Sequence, residues 1–184
     1  KIKYHNNLFL SITNQRETFV IFDTITGKPL NNAIVWQCRR GQKICDRINK
    51  SSKNRIILKK STGLTLDTYF PAPKLVELLS KKNKLKQKLK NGTALFGTID
   101  TYIIYRLTNQ KSYTTDFTNA SRTLFFNNKS LKWSKDLLKV FGLNIKILPE
   151  VKESSSIFGY TNFNNILKSD IPISGVMGDS QASI

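Results

Sequence analysis

Cysteine is scarce. Cys38 and Cys45 are the only two in 184 residues, too few for a disulfide framework or an ordinary structural zinc site. A reducing, cytoplasmic compartment is the default expectation for such a chain. There is one histidine, His5, which argues against a Ser-His-Asp triad and against a histidine-based metal site. No apolar run approaches the roughly 18–20 residues that cross a bilayer, so no membrane span is expected. Residues 1–10 begin with basic side chains but have neither an apolar centre nor a small-residue cleavage site, and do not read as a signal peptide. Phosphate-cradling loops of the GxxxxGK[ST] and GxGxxG kinds are missing too.

Acidic residues are also few: 12 Asp and Glu face 30 Lys and Arg, a net charge of +18. That balance often marks a polyanion partner. Twenty-three of the basic residues are lysine and only seven are arginine, whereas base readout and bidentate phosphate recognition favour arginine. With 17 asparagines beside them, the lysines read as a solvated surface, and no specific nucleic-acid partner is expected.

What is present is enough for a core: 11 Phe, six Tyr and two Trp, with 39% hydrophobic residues. Leu8–Thr13, Thr18–Asp23 and Ala33–Trp36 have strand length and strand composition. Residues 37–57 carry a helical pattern, which would put Cys38 and Cys45 on one face. Ser61–Pro73 reads as a loop. Leu75, Leu78, Leu79, Leu85 and Leu89 predict one amphipathic helix ending at Asn91-Gly92, its other face covered by lysines. Phe96–Leu107 predicts a second helix and Ser112–Asp116 a short strand. A third helix is expected near Trp133–Phe141, with Ser134 as its N-cap and Gly142 as its stop. Ile157–Tyr160 and Ile171–Asp179 complete the strands. Strands mixed with helices imply an α/β domain. The late start and the abrupt end, five residues past Asp179, suggest a piece of a longer protein.

Acids in unusual company carry what chemistry can be read. Arg16-Glu17 follows a strand, as does Trp36-Gln37. Tyr69 precedes the long helix, and Asp179 ends an apolar strand at Gly178. Taken singly these are ordinary features: a turn with a surface ion pair, a core tryptophan, a packing tyrosine, a turn aspartate. In open α/β sheets, however, ligands bind beyond the carboxyl ends of strands, where Asp179, Arg16-Glu17 and Trp36-Gln37 all fall.

Eight ordered stretches carry a resemblance. They are Ile12–Thr18 (ITNQRET), Thr26–Pro29 (TGKP), Asn32–Arg40 (NAIVWQCRR) and Ser61–Leu64 with Asp67–Phe70. Leu95–Thr101 (LFGTIDT), Thr115–Thr123 (TDFTNASRT), Leu148–Val151 and Ile171–Gly175 with Gly178-Asp179 complete the set. Together they resemble the glycerol kinase family within the FGGY carbohydrate kinases, over nearly the whole chain. The resemblance implies a ribonuclease-H-like, actin-like ATPase lobe, a mixed sheet flanked by helices, with residues 1–184 forming an FGGY N-terminal domain incomplete at both ends. It implies ATP-dependent phosphorylation of glycerol with Mg²⁺, and homo-oligomers of the full-length protein. Arg16, Glu17, Tyr69 and Asp179 match glycerol-binding positions, Trp36 a pocket-lining aromatic, and Asp179 the general base and metal-facing carboxylate. Ser180 stands where the family has glutamine, with Gln181 next to it. No residue of this chain is assigned to the nucleotide. Another FGGY sugar or polyol kinase, and a degenerate basic binding module, are the alternatives.

Overall fold

The computed structural model describes residues 8–143 and 145–184. His5 and the basic start lie outside them. In chain order the elements are β1 (Leu10–Asn14), β2 (Phe19–Asp23), α1 (Gln42–Asn49), α2 (Ser52–Thr62), α3 (Pro71–Lys81), α4 (Asn83–Lys90), β3 (Ala94–Thr98), α5 (Ile99–Leu107) and β4 (Thr114–Asp116). There follow α6 (Phe117–Ala120), β5 (Phe126–Asn127), β6 (Lys132–Trp133), α7 (Lys135–Phe141), β7 (Glu150–Lys152), β8 (Gly159–Thr161), β9 (Ile171–Gly178) and α8 (Asp179–Ala182).

β9 is the centre of a three-stranded mixed sheet, parallel to β1 and antiparallel to β8. β2 pairs antiparallel with β3, β4 parallel with β7, and β5 antiparallel with β6. The largest apolar cluster joins β2 and β3 to α1–α4 and α7 through Phe19, Ile21, Phe96, Leu75 and Phe125. A second packs Ile12, Ile173 and Val176 of the mixed sheet on Ile104 and Phe158. The sheet's parallel pair therefore rests on α5, with its carboxyl ends free to carry a site.

Local signals account for several elements. Ser134 caps α7, accepting a hydrogen bond from the Leu137 N–H at 3.2 Å, and Gly142 ends it in the left-handed region at φ 67. Pro71 and Pro73 lie in the first turn of α3, where a missing N–H costs nothing, so the expected loop ends earlier.

Five expectations are corrected. The helix over 37–57 is two helices, because Ser51 takes the Asn54 N–H at 3.3 Å and starts α2 afresh. Cys38 precedes α1, so the two thiols share no helix face; both are free, and burial pushes the Cys45 thiol up to about 12. The lysine helix breaks at Lys82. Leu78 and Leu85 are seven residues apart and keep one helical stripe in phase, so the apolar spacing does not mark the break; Leu85 and Leu89 are buried from α4 as Leu78 is from α3. Residues 96–98 belong to β3, with Phe96 buried against Phe19 at 5.2 Å between ring centroids, and the helix begins at Ile99. A continuous apolar run suits either structure until a partner strand is present. Residues 33–36 form no strand; Ile34 pairs with Phe19 in a single isolated bridge.

Candidate active site

β1 and β9 run in parallel with Asn14 opposite Gly178, so the residues that follow each strand emerge side by side. Arg16 and Glu17 follow one, and Asp179 opens the four-residue α8 after the other. The Arg16 Nε lies 3.6 Å from an Asp179 carboxylate oxygen, and its Nη2 donates to the Ser180 Oγ at 2.9 Å. The Asp179 side chain remains 54% exposed, so the contact leaves the carboxylate open on one side. Gly178 is required by this approach: a methyl group there would overlap the Arg16 side chain. The Gln181 Oε1 is buried at the same spot without a hydrogen-bond partner among the described residues.

Glu17 is 2% exposed and accepts from the Arg122 Nε at 2.7 Å. The Arg122 guanidinium also covers the rings of Phe70 and Tyr69, at 4.9 and 5.7 Å from their centroids. Tyr69 in turn packs on Trp36 at 5.4 Å. Burial first, then the Glu17 charge, push the Tyr69 phenol above its ordinary value, while Arg122 and Arg16 oppose the shift. The structure thus joins Glu17, Arg122, Tyr69 and Trp36 in one contact chain. Arg16, Asp179 and Ser180 form a second, and Glu17 adjoins Arg16 in sequence, linking the two.

Lys74 holds the aromatic wall from behind. Fully buried on α3, its ammonium donates to the carbonyls of Tyr69 at 2.9 Å, Val35 at 3.1 Å and Trp36 at 3.4 Å. Burial lowers it to about 8, with Cys38 and Glu17 opposing that drop. Neither Lys74 nor Arg122 stood out in the sequence. Lys74 lies four residues before Leu78, a cation on the face that a helix buries, and that is the signal that could have found it. Arg122 lies inside one of the resemblance stretches, but nothing in its neighbours names Glu17 as its partner.

No group of three or more His, Cys, Asp or Glu able to hold a metal occurs among the described residues. A magnesium ion needs no such cage, since it keeps several waters and binds through one or two carboxylates plus phosphate oxygens. The half-exposed Asp179 carboxylate fits that requirement. No helix among the described residues is long and apolar enough to cross a membrane.

The mixed sheet flanked by helices, with these side chains beyond its parallel strand ends, is a lobe of the actin-like ATPase architecture. A xylulose kinase from Lactobacillus acidophilus, 23% identical, superposes with a TM-score of 0.80 over 95% of this chain and 35% of that one, and shares the fold. The whole chain, residues 1–184, matches the N-terminal domain of the FGGY family of carbohydrate kinases, and the chain belongs to that family. Within it, the chain is 50% identical over 174 residues to a glycerol kinase of Borrelia garinii subsp. bavariensis, covering 95% of this chain and 34% of that protein. It is 45% identical over 183 residues to a glycerol kinase of Fusobacterium nucleatum, covering 100% and 37%. The crystal structure of Plasmodium falciparum glycerol kinase with ADP is 41% identical, with a TM-score of 0.84 over 93% of this chain and 34% of that one. The chain spans 34–37% of the length of these relatives.

Proposed function

We propose that the protein whose N-terminal part is this chain transfers the γ-phosphoryl group of ATP to glycerol, giving sn-glycerol 3-phosphate and ADP. Support comes from the glycerol kinase relatives at 45–50% identity and from the ADP-bound glycerol kinase of similar structure. The observation that carries it is the Arg16–Asp179 approach at 3.6 Å, which leaves a carboxylate half-exposed at the mouth of the strands.

Asp179 is the general base. It takes the proton from the attacking hydroxyl as that oxygen bonds to the γ-phosphorus and the bond from phosphorus to the bridging oxygen of ADP breaks. A positioned base supplies typically 10²–10⁴-fold. Glu17, with one oxygen held by Arg122, accepts from a glycerol hydroxyl, while Arg16 donates to hydroxyl oxygens. Trp36 and Tyr69 pack on the carbon spine and keep water out. The Ser180 hydroxyl steadies the Arg16 fork. Magnesium, when bound with the nucleotide, neutralises phosphate charge, and Asp179 is the carboxylate of this chain that would reach it. Two free cysteines suit a cytoplasmic setting. Assembly of the full-length protein into homo-oligomers is part of the same proposal.

The test is glycerol-dependent ADP formation by the full-length protein. Asp179→Asn should lower kcat roughly 10²–10⁴-fold. Turnover by that variant at the wild-type rate would refute the role of Asp179. A panel of glycerol, erythritol, xylulose and ribulose should show glycerol as the preferred acceptor, and preference for a ketose would move the protein to another FGGY activity.

A further inference from the structure

Below Asp179 lies a polar junction that the reaction itself does not use. Asp116, the last residue of β4, is fully buried. One of its oxygens accepts from the Asn119 N–H at 3.0 Å and the Asn119 side-chain amide at 2.8 Å. The other accepts from the Thr118 N–H at 3.0 Å, the Thr118 hydroxyl at 2.7 Å and the Ser154 hydroxyl at 2.8 Å. A carboxylate only accepts, so the Thr118 hydroxyl must spend its proton on Asp116 and turn its lone pairs outward. They receive the Gly178 N–H at 2.8 Å.

The second arm reaches the neighbouring strand. The Asn119 amide donates to the Asn14 Oδ1 at 3.1 Å, and the Asn14 amide donates back to the Asn119 Oδ1 at 2.9 Å. Asn14 is the register partner of Gly178. One buried carboxylate therefore sets the ends of both strands from which Arg16-Glu17 and Asp179 depart. The Thr118 arm has a polarity: reversing the hydroxyl would put two acceptors face to face.

We propose that Thr118, oriented by Asp116, is a positioning residue for Asp179: its hydroxyl fixes the Gly178 N–H and with it the first turn of the short helix that carries the base. This rests on Asp179 being the base. A shift of about 1 Å in a reacting group can cost on the order of 10²-fold in rate. The Thr118 arm acts on the base, whereas the substrate-binding contacts of Glu17, Tyr69 and Trp36 hang from Arg122 and Lys74. Loss of the arm should appear in kcat and spare the glycerol KM.

The experiment is steady-state kinetics on the full-length protein with Thr118→Val and Thr118→Ser. Valine keeps the volume and loses the hydroxyl; serine keeps the hydroxyl. Thr118→Val should lower kcat roughly 10–100-fold with the glycerol KM changed less than about threefold, and Thr118→Ser should stay within about threefold of wild type in both. If the valine variant does not fold, Thr118→Cys replaces it: a thiol fills the site but hydrogen-bonds weakly, and kcat should fall below that of the serine variant. A folded valine or cysteine variant with wild-type kcat overturns the proposal. So does a serine variant as impaired as the valine one, or a rise in KM at constant kcat. Asp179→Asn in parallel separates the two readings: if it lowers kcat while a folded Thr118→Val variant keeps the wild-type kcat, the positioning role falls and the base stands. If it leaves turnover intact, the assignment of the base falls, and the positioning role with it.

Discussion

The lysine-bearing helix α4 and the polar junction at the ends of β1 and β9 are both rich in polar side chains, and they use them in opposite ways. On α4, Lys84, Lys86 and Lys90 stand in solvent while Leu85 and Leu89 face the core, and all of this is set within eight residues. Lys88 reaches Asp23 at 3.8 Å with its side chain 47% exposed, the kind of pair that contributes little. At the junction the partners are far apart in sequence: Glu17 with Arg122 and Asn14 with Asn119 across 105 residues, Arg16 with Ser180 across 164. There Glu17, Asn14, Asn119 and Asp116 are taken out of water and held by named partners. A charge facing solvent is replaceable; a buried group whose partner is removed keeps its desolvation cost and loses what offset it.

That contrast can be broken most severely at Arg122. Its loss strands Glu17 as a buried carboxylate and uncovers Phe70 and Tyr69. Arg122→Ala should destabilise the protein by roughly 3 kcal/mol, at the low end of the range for a severed buried pair because the guanidinium is partly exposed. Urea unfolding measures it, and a loss below about 1 kcal/mol would place this pair with the surface ones. Glycerol KM should rise as well, because the Glu17 carboxylate loses the contact that orients it.

A change of intermediate size sharpens the comparison at Asp100, buried like the junction residues but poorly served. Its Oδ2 accepts from the Thr115 hydroxyl at 2.6 Å and its Oδ1 has no hydrogen-bond partner among the described residues. Burial raises the carboxyl from 3.8 to about 6, against the pull of the Thr115 and Thr98 hydroxyls and with some help from the Asp116 charge. The folded chain therefore holds this proton up to about pH 6, whereas the unfolded chain releases it near pH 4. Stability from this group grows as pH falls through that window and is lost as pH rises through it. Asp100→Asn removes the dependence. Relative to wild type, the variant should be more favoured at pH 7 than at pH 4, by about 2–3 kcal/mol. Parallel unfolding curves at the two pH values check this, and an unchanged difference would mean that Asp100 is ionised throughout.

The smallest effect belongs to the lysine face. Lys86→Gln should change stability by less than about 0.5 kcal/mol, because the side chain is solvated. A larger loss in the same unfolding assay would show that α4's charge is engaged in a contact of the junction's kind.

The same division separates what could be read along the chain from what could not. Ser134 and Gly142 bound α7 through hydrogen bonds and backbone preferences that act within a few residues, so the expected helix and the observed one agree. The break at Lys82 gave no such signal, because Leu78 and Leu85, seven residues apart, keep the apolar stripe in phase across it. β3 could not be read in this way. Ala94–Thr98 becomes a strand because Phe19–Asp23 lies alongside it, and the apolar run alone is neutral between the two conformations. At the site, Arg16, Glu17, Trp36, Tyr69, Asp179 and Ser180 were placed by their positions after strands and by family resemblance. Of the residues that hold them, Lys74 showed itself only as a cation on a buried helix face, and Arg122, Thr118 and Asp116 gave no local sign, because the Glu17, Gly178 and Asn14 ends of their contacts lie far along the chain and only burial makes the contacts count.

By itself the sequence determined the α/β class, the caps and stripes of its helices, the solvated lysine surface and the family, since each of these follows from short-range spacing or from residue identity. The tertiary structure decided which apolar run became β3, which carboxylates lost their water, and which hydroxyl points at the Gly178 N–H. These depend on the dielectric and the neighbours that a residue meets only after distant segments have packed, and no window of adjacent residues contains that information.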